Sequence, residues 1–161
     1  MKAAAFAYAR PRSLEEALDL LERPGAKVLA GGQSLIPSLN MRLSTPDLLV
    51  DIGALKAFRE IRCEAGTLRV GALATHAQIE RSADVRKHVP MLAEAARQIA
   101  HPAIRNRGTL GGSLALADPA AEYPACAVAL DASLVIQGRG AQRRVKAGSF
   151  FKGLFETDLR P

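Results

Sequence analysis

Two glycine pairs, each in a run of small polar residues, constrain the fold of this chain more than any other feature. The first run is Ala30-Gly31-Gly32-Gln33-Ser34 and the second is Thr109-Leu110-Gly111-Gly112-Ser113. Glycine adopts positive φ without strain and lets backbone N–H groups approach a ligand closely, and successive N–H groups at such turns bind anions. One pair alone is most often an ordinary turn. Two pairs with hydroxyl side chains beside them favour two short polar loops that bind a diphosphate.

Composition limits the classes of protein to which the chain can belong. Its 161 residues, 48% of them hydrophobic and only 4% aromatic, predict one domain or two small ones with an aliphatic core. No apolar run approaches the ~18 residues of a membrane span, and no apolar stretch follows Met1 as a signal peptide would require. We therefore expect a cytoplasmic protein. Cys63 and Cys126 lie far apart without metal-ligand spacing, so we expect packed thiols and no metal site in this chain.

The net charge of +6 raises the question of a nucleic-acid partner. Basic residues alternate with acidic ones in the first half, and no aromatic residues are interleaved with the densest basic stretches, as base stacking would require. An anionic cofactor or an acidic partner protein accounts for the charge equally well.

The first 53 residues show the pattern of a small β-α-β unit. Ser13 and Glu16 have capping-box spacing at the start of an amphipathic helix. Residues 27–30 indicate a buried strand that leads into the first glycine pair, residues 35–39 indicate a helical turn, and residues 47–52 indicate another strand. Ligands of α/β sheets bind where strands end in this way.

From Phe58 onward the apolar residues recur with a period of two. Residues 58–71 predict a hairpin whose connection is the three residues Glu64-Ala65-Gly66. Thr75 and Gln78 form a second capping box, and residues 90–100 and 122–130 predict helices. A second hairpin is expected over residues 133–145, with Gly138-Arg139-Gly140 as its connection.

Four motifs in order resemble one protein family. They are AGGQSLIP (30–37), VGALATHAQIE (70–80), HPAIRNRGTLGGSLALADPAAEYPA (101–125) and SFFKGLFETDLRP (149–161). Together they resemble the FAD-binding subunit of molybdenum hydroxylases, in particular the medium subunit of aerobic carbon monoxide dehydrogenase-type enzymes, which is related to the flavin domain of xanthine dehydrogenase. The resemblance implies an α+β, two-subdomain FAD-binding fold of the PCMH type. FAD would lie between a small N-terminal β-α-β subdomain (1–53) and a larger mixed α/β subdomain (54–161).

The resemblance also implies which residues bind the cofactor. Those expected to line the adenosine diphosphate are Val28, Leu29, Ala30, Gly31, Gly32, Gln33, Ser34 and Leu35. Those expected to close over the diphosphate are Thr109, Leu110, Gly111, Gly112 and Ser113, where Ser113 replaces a common Asn. Glu122 stands where an Asp that holds a polar group of the cofactor is common, and Ile99 stands where some relatives have an aromatic residue.

The implied function is electron transfer without a proton-transfer catalyst in this chain. FAD would accept electrons from [2Fe–2S] clusters on a small subunit, and substrate would be oxidised at a molybdopterin cofactor on a large subunit. Arg105 and Arg107 are candidates to raise the flavin potential. Family members continue for roughly a further domain, so we interpret the chain as an N-terminal fragment or truncated product that is inactive alone.

Two other functions remain open. A stand-alone flavoprotein oxidoreductase of related fold would need an acid/base residue facing its substrate, and a cofactor-free interaction remnant would tolerate loss of the glycine pairs. Flavin absorbance of the purified protein distinguishes the last of these from the others.

Overall fold

The computed structural model describes residues 2–159, and they begin with a three-stranded parallel sheet. Strands β1 (Ala7–Ala9), β2 (Ala26–Leu29) and β3 (Leu48–Asp51) lie in the order β1-β3-β2. Helix α1 (Leu14–Leu21) connects β1 to β2, and α2 (Leu35–Asn40) connects β2 to β3. The central strand β3 is buried, with Leu49 and Val50 at most 1% exposed. This arrangement is the β-α-β unit that the sequence predicts.

Strand β2 lies at an edge of this sheet. Val28 is 41% exposed and Lys27 is exposed as well, because β2 pairs only with β3. The prediction of a buried strand over residues 27–30 is therefore wrong in its burial. The sequence analysis also missed β1, whose three residues are too few to show an alternating pattern.

Helix α1 begins at the predicted cap. The Ser13 hydroxyl oxygen accepts a hydrogen bond from the Glu16 N–H at 3.1 Å, which satisfies one of the free donors of the first turn. Ala17 is 1% exposed and packs in a cluster of buried residues made of Ala17, Leu48, Val50, Leu55 and Leu73. The helix thus covers the sheet with its apolar side.

The remaining described residues form two short 3₁₀ helices, six further α-helices, three hairpins and a last helical turn. The 3₁₀ helices are Ile52–Ala54 and Lys56–Arg59. The other elements are β4 (Ile61–Glu64), β5 (Thr67–Val70), α3 (His76–Arg81), α4 (Ala83–His88), α5 (Pro90–Gln98), α6 (Pro102–Arg105), α7 (Leu110–Leu116), α8 (Glu122–Ala129), β6 (Ser133–Gly138), β7 (Ala141–Lys146), α9 (Ala147–Phe150), β8 (Phe151–Gly153) and β9 (Glu156–Thr157).

The two predicted hairpins form, but with shorter connections than expected. Glu64 pairs with Thr67 and Gly138 pairs with Ala141, so each connection has two residues rather than three. In the first, Ala65 and Gly66 both have positive φ, of 47° and 77°, which matches the twist of the strands on either side. Strand β4 begins only at Ile61 because Phe58 lies in a 3₁₀ helix.

A second buried cluster lies among the helices. It consists of Ala74, Ile79, Val85, Ala93, Ala96 and Tyr123. The first cluster includes Leu55 and Leu73, which follow residue 53 in the chain, and the domain boundary at residue 53 stays a prediction. The last two residues of the fourth motif, 160 and 161, lie outside the described residues. Between residues 2 and 159, no helix is both long and apolar enough to span a bilayer.

Candidate functional site

The first glycine pair lies between the end of β2 and the start of α2, as predicted. Gly32 has a φ of +73°, a conformation that L-residues other than glycine rarely adopt. The Gln33 side-chain amide donates to the Gly31 carbonyl at 2.9 Å, and the Ile36 N–H donates to the Gly32 carbonyl at 3.0 Å. These two bonds fix the turn and occupy carbonyl groups, not N–H groups.

Backbone donors are left open along this turn. The N–H groups of residues 31–35 have no hydrogen-bond acceptor among residues 2–159, and the Ser34 hydroxyl does not cap α2. Successive free N–H groups at a turn after a strand are the donors from which anion sites are built. The first segment therefore has the chemistry expected of a phosphate-binding turn.

The second glycine pair does not lie in a loop, and that prediction is wrong. Thr109 is the N-cap of α7, so Gly111 and Gly112 lie in the first turn of this helix. The Thr109 hydroxyl oxygen accepts from the Gly112 N–H at 3.2 Å. An isolated antiparallel bridge between Thr75 and Thr109 fixes the start of the helix against the start of α3.

The backbone of this second segment is already hydrogen-bonded. The Gly111 N–H donates to the Ala72 carbonyl at 2.8 Å, and the Ser113 N–H donates to the Thr109 carbonyl at 3.0 Å. The N–H groups of Leu110 and Gly112 are also engaged, so residues 110–113 offer no free backbone donor. This segment can reach an anion only through side chains and through the Thr109 N–H.

Glycine is needed in the second segment for close packing. A Cβ at Gly111 would lie 2.6 Å from the Ala72 Cβ, and one at Gly108 would lie 2.5 Å from the His76 Nε2. Contacts this short exceed what a native core tolerates. Close packing thus accounts for Gly108 and Gly111, and the role of this segment in binding a cofactor stays a prediction.

The two segments meet directly. A Cβ at Gly31 would overlap the Arg107 carbonyl oxygen and would lie 2.9 Å from the Gly108 Cα. The backbone of residues 107–108, immediately before Thr109, therefore packs on the first glycine turn. We call this contact between residues 30–35 and residues 107–113 the glycine junction.

The other predicted site residues are distributed around the helices. Ile99 follows α5 and packs, with Leu110, against the second buried cluster. Glu122 is the first residue of α8, is half-buried and makes no hydrogen bond or ion pair with residues 2–159. Leu29 and Leu35 are half-buried on either side of the first turn.

The two arginines before the second segment have different surroundings. Arg105 is 15% exposed, pairs with Glu80 at 3.1 Å and donates to the Ala100 carbonyl at 2.9 Å. Arg107 is exposed and has no side-chain partner among the described residues. Arg105 is thus a structural cation whose charge is already compensated, and the free charge next to the glycine junction is that of Arg107.

His76 lies beneath the junction and is neutral at physiological pH. It is 6% exposed, and burial, with a smaller contribution from the Arg105 charge, lowers its pKa to about 4. Its backbone N–H donates to the Gly108 carbonyl at 3.0 Å, and its ring centroid lies 5.2 Å from that of Tyr123. The residue therefore packs the junction and is not placed as an acid or base.

Sequence reasoning missed the residues that support the second segment. They are Ala72, Ala74 and His76, which accept its N–H groups or contact its glycines. All three lie in the stretch VGALATHAQIE, which carried part of the resemblance but no assigned role.

Comparison with known proteins identifies the same kind of module. Residues 4–161 match the family model of the FAD binding domain in molybdopterin dehydrogenase. The chain is 44% identical to the medium subunit of nicotine 6-hydroxylase from Paenarthrobacter nicotinovorans, over 99% of this chain and 56% of that protein. It is 41% identical to the carbon monoxide dehydrogenase medium chain of Hydrogenophaga pseudoflava, over 96% of this chain and 54% of that one.

Solved structures of related proteins contain a domain with the same fold as this chain. Quinoline 2-oxidoreductase from Pseudomonas putida 86 contains a chain that superposes with a TM-score of 0.97 at 45% identity, over 99% of this chain and 56% of that one. The chain thus spans about half the length of the relatives it matches. The predicted fold class and family are confirmed. The chain belongs to the family of FAD-binding domains of molybdopterin dehydrogenases.

Proposed function

We propose that this chain binds FAD at the glycine junction and acts as the FAD-binding, electron-transfer subunit of a molybdenum hydroxylase. The observation that supports the location is the row of free N–H groups at residues 31–35, next to the backbone of residues 107–108. A diphosphate needs several donors within a short distance, and this is the arrangement that the first turn offers.

The two segments contribute differently to the diphosphate site. Residues 31–35 donate through the backbone, and Ser34 adds its hydroxyl group. The second segment donates through the side chains of Thr109 and Ser113, because the N–H groups of residues 110–113 are engaged within the protein.

The Thr109 hydroxyl group has a proton left to donate. Its oxygen accepts from the Gly112 N–H, which leaves the hydroxyl proton for a phosphate oxygen. The Arg107 guanidinium adds a positive charge.

Apolar and acidic residues complete the site. Val28, Leu29 and Leu35 provide apolar surface on one side of the junction, and Ile99 and Leu110 provide it on the other. Glu122, which has no partner among residues 2–159, accepts a hydrogen bond from a hydroxyl group of FAD. These side chains orient the cofactor, and the diphosphate contacts supply most of the attraction.

FAD, when bound, supplies the redox chemistry, and the protein supplies binding, orientation and electrostatics. In the assembled complex, [2Fe–2S] clusters on a small subunit would supply the electrons, and a molybdopterin cofactor on a large subunit would oxidise the substrate. Cys126 takes no part, since it is buried and burial raises the pKa of its thiol. The cytoplasmic location stays a prediction from the sequence.

The test is assembly with partner subunits from the same source. We expect substrate to bleach the visible absorbance of oxidised flavin only when the large and small subunits are both present. A complex built with Gly32→Val should contain all subunits and no flavin. Bleaching by substrate in the isolated chain would instead favour the stand-alone oxidoreductase, and full activity of a flavin-free complex would contradict the proposal.

A further inference from the structure

A second concave site lies beside the glycine junction and shares no residue with the predicted cofactor site. It is an open pocket of about 450 Å³ between β4, α3 and the end of α6. Six lining residues have polar side chains and none is acidic; the full lining is Arg59, Ile61, Thr75, Ala77, Gln78, Arg81, Ser82 and Asn106. We call this cavity the arginine pocket.

Several side-chain donors in the arginine pocket have no acceptor among the described residues. The guanidinium of Arg81 and the side-chain amide of Asn106 make no hydrogen bond or ion pair with any described residue. Gln78 uses its Oε1 to accept from the Thr75 N–H at 2.9 Å, so its NH₂ group remains free. Arg59 donates through one nitrogen to the Gly53 carbonyl at 2.8 Å and retains its other donors.

No carboxylate lines the arginine pocket. Of the acidic residues in the adjoining segments, Glu60 pairs with Arg62, Glu80 with Arg105, and Asp51 with Tyr8 and Arg10, whereas Asp84 lies on α4 outside the lining. Arg59 and Arg81 both line the pocket, so an anion bound there would meet two positive charges. Arginine binds phosphate and carboxylate through paired N–H groups and keeps its charge at any physiological pH.

The volume of the arginine pocket and its apolar lining residues indicate which class of ligand it binds. A volume of about 450 Å³ falls in the range of small-molecule sites. Ile61 and Ala77 supply the apolar part of the lining. We propose that the arginine pocket binds a small phosphate-bearing molecule, with Arg59 and Arg81 on the phosphate and the amides of Gln78 and Asn106 as further donors. This site is separate from the diphosphate site and does not rest on the proposed function.

The test uses the full chain saturated with FAD, so that the diphosphate site is filled, and inorganic phosphate as the probe. Binding is measured by calorimetry and by ³¹P line broadening at constant ionic strength, with chloride as the reference anion. We expect saturable binding at one site. Arg81→Gln should weaken it about tenfold or more, and Arg59→Gln with Arg81→Gln should abolish it.

Arg86→Gln is the matched control, because Arg86 is an exposed arginine on α4 outside the pocket. It should leave the phosphate affinity unchanged. Absence of saturable binding in the parent, or equal weakening by Arg81→Gln and Arg86→Gln, would overturn the proposal. Phosphate binding that FAD displaces would also overturn it, since the cavity would then belong to the cofactor site. Flavin absorbance reports FAD binding separately, so failure of the cofactor assignment is distinguishable.

Discussion

At the scale of single residues, glycine meets two different requirements at the junction. Gly32 needs a positive φ of +73°, whereas Gly31 and Gly111 have ordinary φ values and no room for a Cβ. The positive φ of Gly32 shapes a turn with free N–H donors. The missing Cβ of Gly31 and Gly111 lets two backbone segments pack in contact. Only the first requirement is a property of an anion site.

Replacement of Gly32 should separate ligand binding from backbone strain. In Gly32→Ala the new Cβ would lie 3.1 Å from the Ile36 Cγ1, and the positive φ costs about 1 kcal/mol. Relief of this strain rotates the N–H groups of the turn, so FAD affinity should fall about tenfold or more. Fluorescence titration of FAD measures the affinity, and urea unfolding measures the stability.

Gly140→Ala is the control, since Gly140 has a φ of +68° with no atom within 4 Å of an added Cβ. It should lose a similar amount of stability and keep its FAD affinity. Equal FAD affinity in Gly32→Ala and the parent would mean that the turn does not bind the cofactor.

His76 should make the folded protein sensitive to mild acid. Its pKa is lowered from 6.5 to about 4, so between these values the unfolded chain binds a proton that the folded chain does not. Stability from this group is complete above the unfolded pKa and falls as the pH drops towards 4, by about 2–3 kcal/mol in total. His76→Gln removes the titration.

The measurement is the free energy of unfolding in urea between pH 7 and pH 4. The difference between the parent and His76→Gln should change across this range, while His101→Gln, at an exposed histidine, should parallel the parent. A constant difference between the parent and His76→Gln would show that burial does not depress this pKa.

At the scale of elements, the short helix α6 positions the second glycine segment. Arg105, its last residue, pairs with Glu80 on α3 and donates to the Ile99 and Ala100 carbonyls after α5. These contacts hold the three helices in one arrangement and fix where residues 107–108 cross the first turn. The helix has only four residues and depends on such tertiary contacts.

Substitution of the two neighbouring arginines should therefore give opposite results. Arg105→Gln leaves the half-buried Glu80 without its partner, which should cost about 2–3 kcal/mol of folding stability. Arg107→Gln should leave stability unchanged, because no partner of Arg107 is lost, and should weaken FAD binding several-fold. Thermal unfolding without FAD and flavin titration at low ionic strength separate the two effects.

The reverse pattern, with Arg107→Gln destabilising the apoprotein and Arg105→Gln affecting FAD alone, would contradict these roles. The effect of Arg107→Gln on FAD affinity should also decrease as the salt concentration rises, because the Arg107 side chain is exposed to solvent.

The sequence predicted the elements that are determined by residues close together in the chain, such as helix caps and hairpin turns. The caps at Ser13 and Thr75 form as their spacing indicates. The hairpins form too, although one residue of each connection belongs to a strand. Burial of β2 could not be predicted, because a central and an edge strand with the same apolar residues differ only in their neighbours.

The second glycine segment shows the same limit at the site. Thr109-Leu110-Gly111-Gly112 is an N-cap followed by a helical turn, yet glycine disfavours helices, so the sequence favoured a loop. The contacts that hold the turn come from Ala72 and Ala74, more than 30 residues earlier in the chain. The glycine pairs and the resemblance to a family both linked the two segments, but neither predicted the contacts with Ala72 and Ala74.

At the scale of the whole molecule, two buried clusters lie on either side of the glycine junction. Besides the junction, the tip of the β6–β7 hairpin reaches the N-terminal unit, where Arg139 pairs with Asp19 on α1 at 3.4 Å and with Glu22, the residue after α1, at 2.5 Å. The pairs are exposed and screened by salt. The packed backbone at the junction, rather than these pairs, therefore determines how the residues of the proposed cofactor site are arranged.

The most direct test of this account is a titration of the full chain with FAD and, separately, with FMN. A site built around free donors for a diphosphate should bind one equivalent of FAD and should bind FMN, which has a single phosphate, at least about tenfold more weakly. Calorimetry with recovery of the bound flavin by chromatography gives both values. Saturation by FAD at one per chain with weak FMN binding is the predicted result; equal affinity for the two flavins, or no FAD binding, would contradict a diphosphate site at the glycine junction.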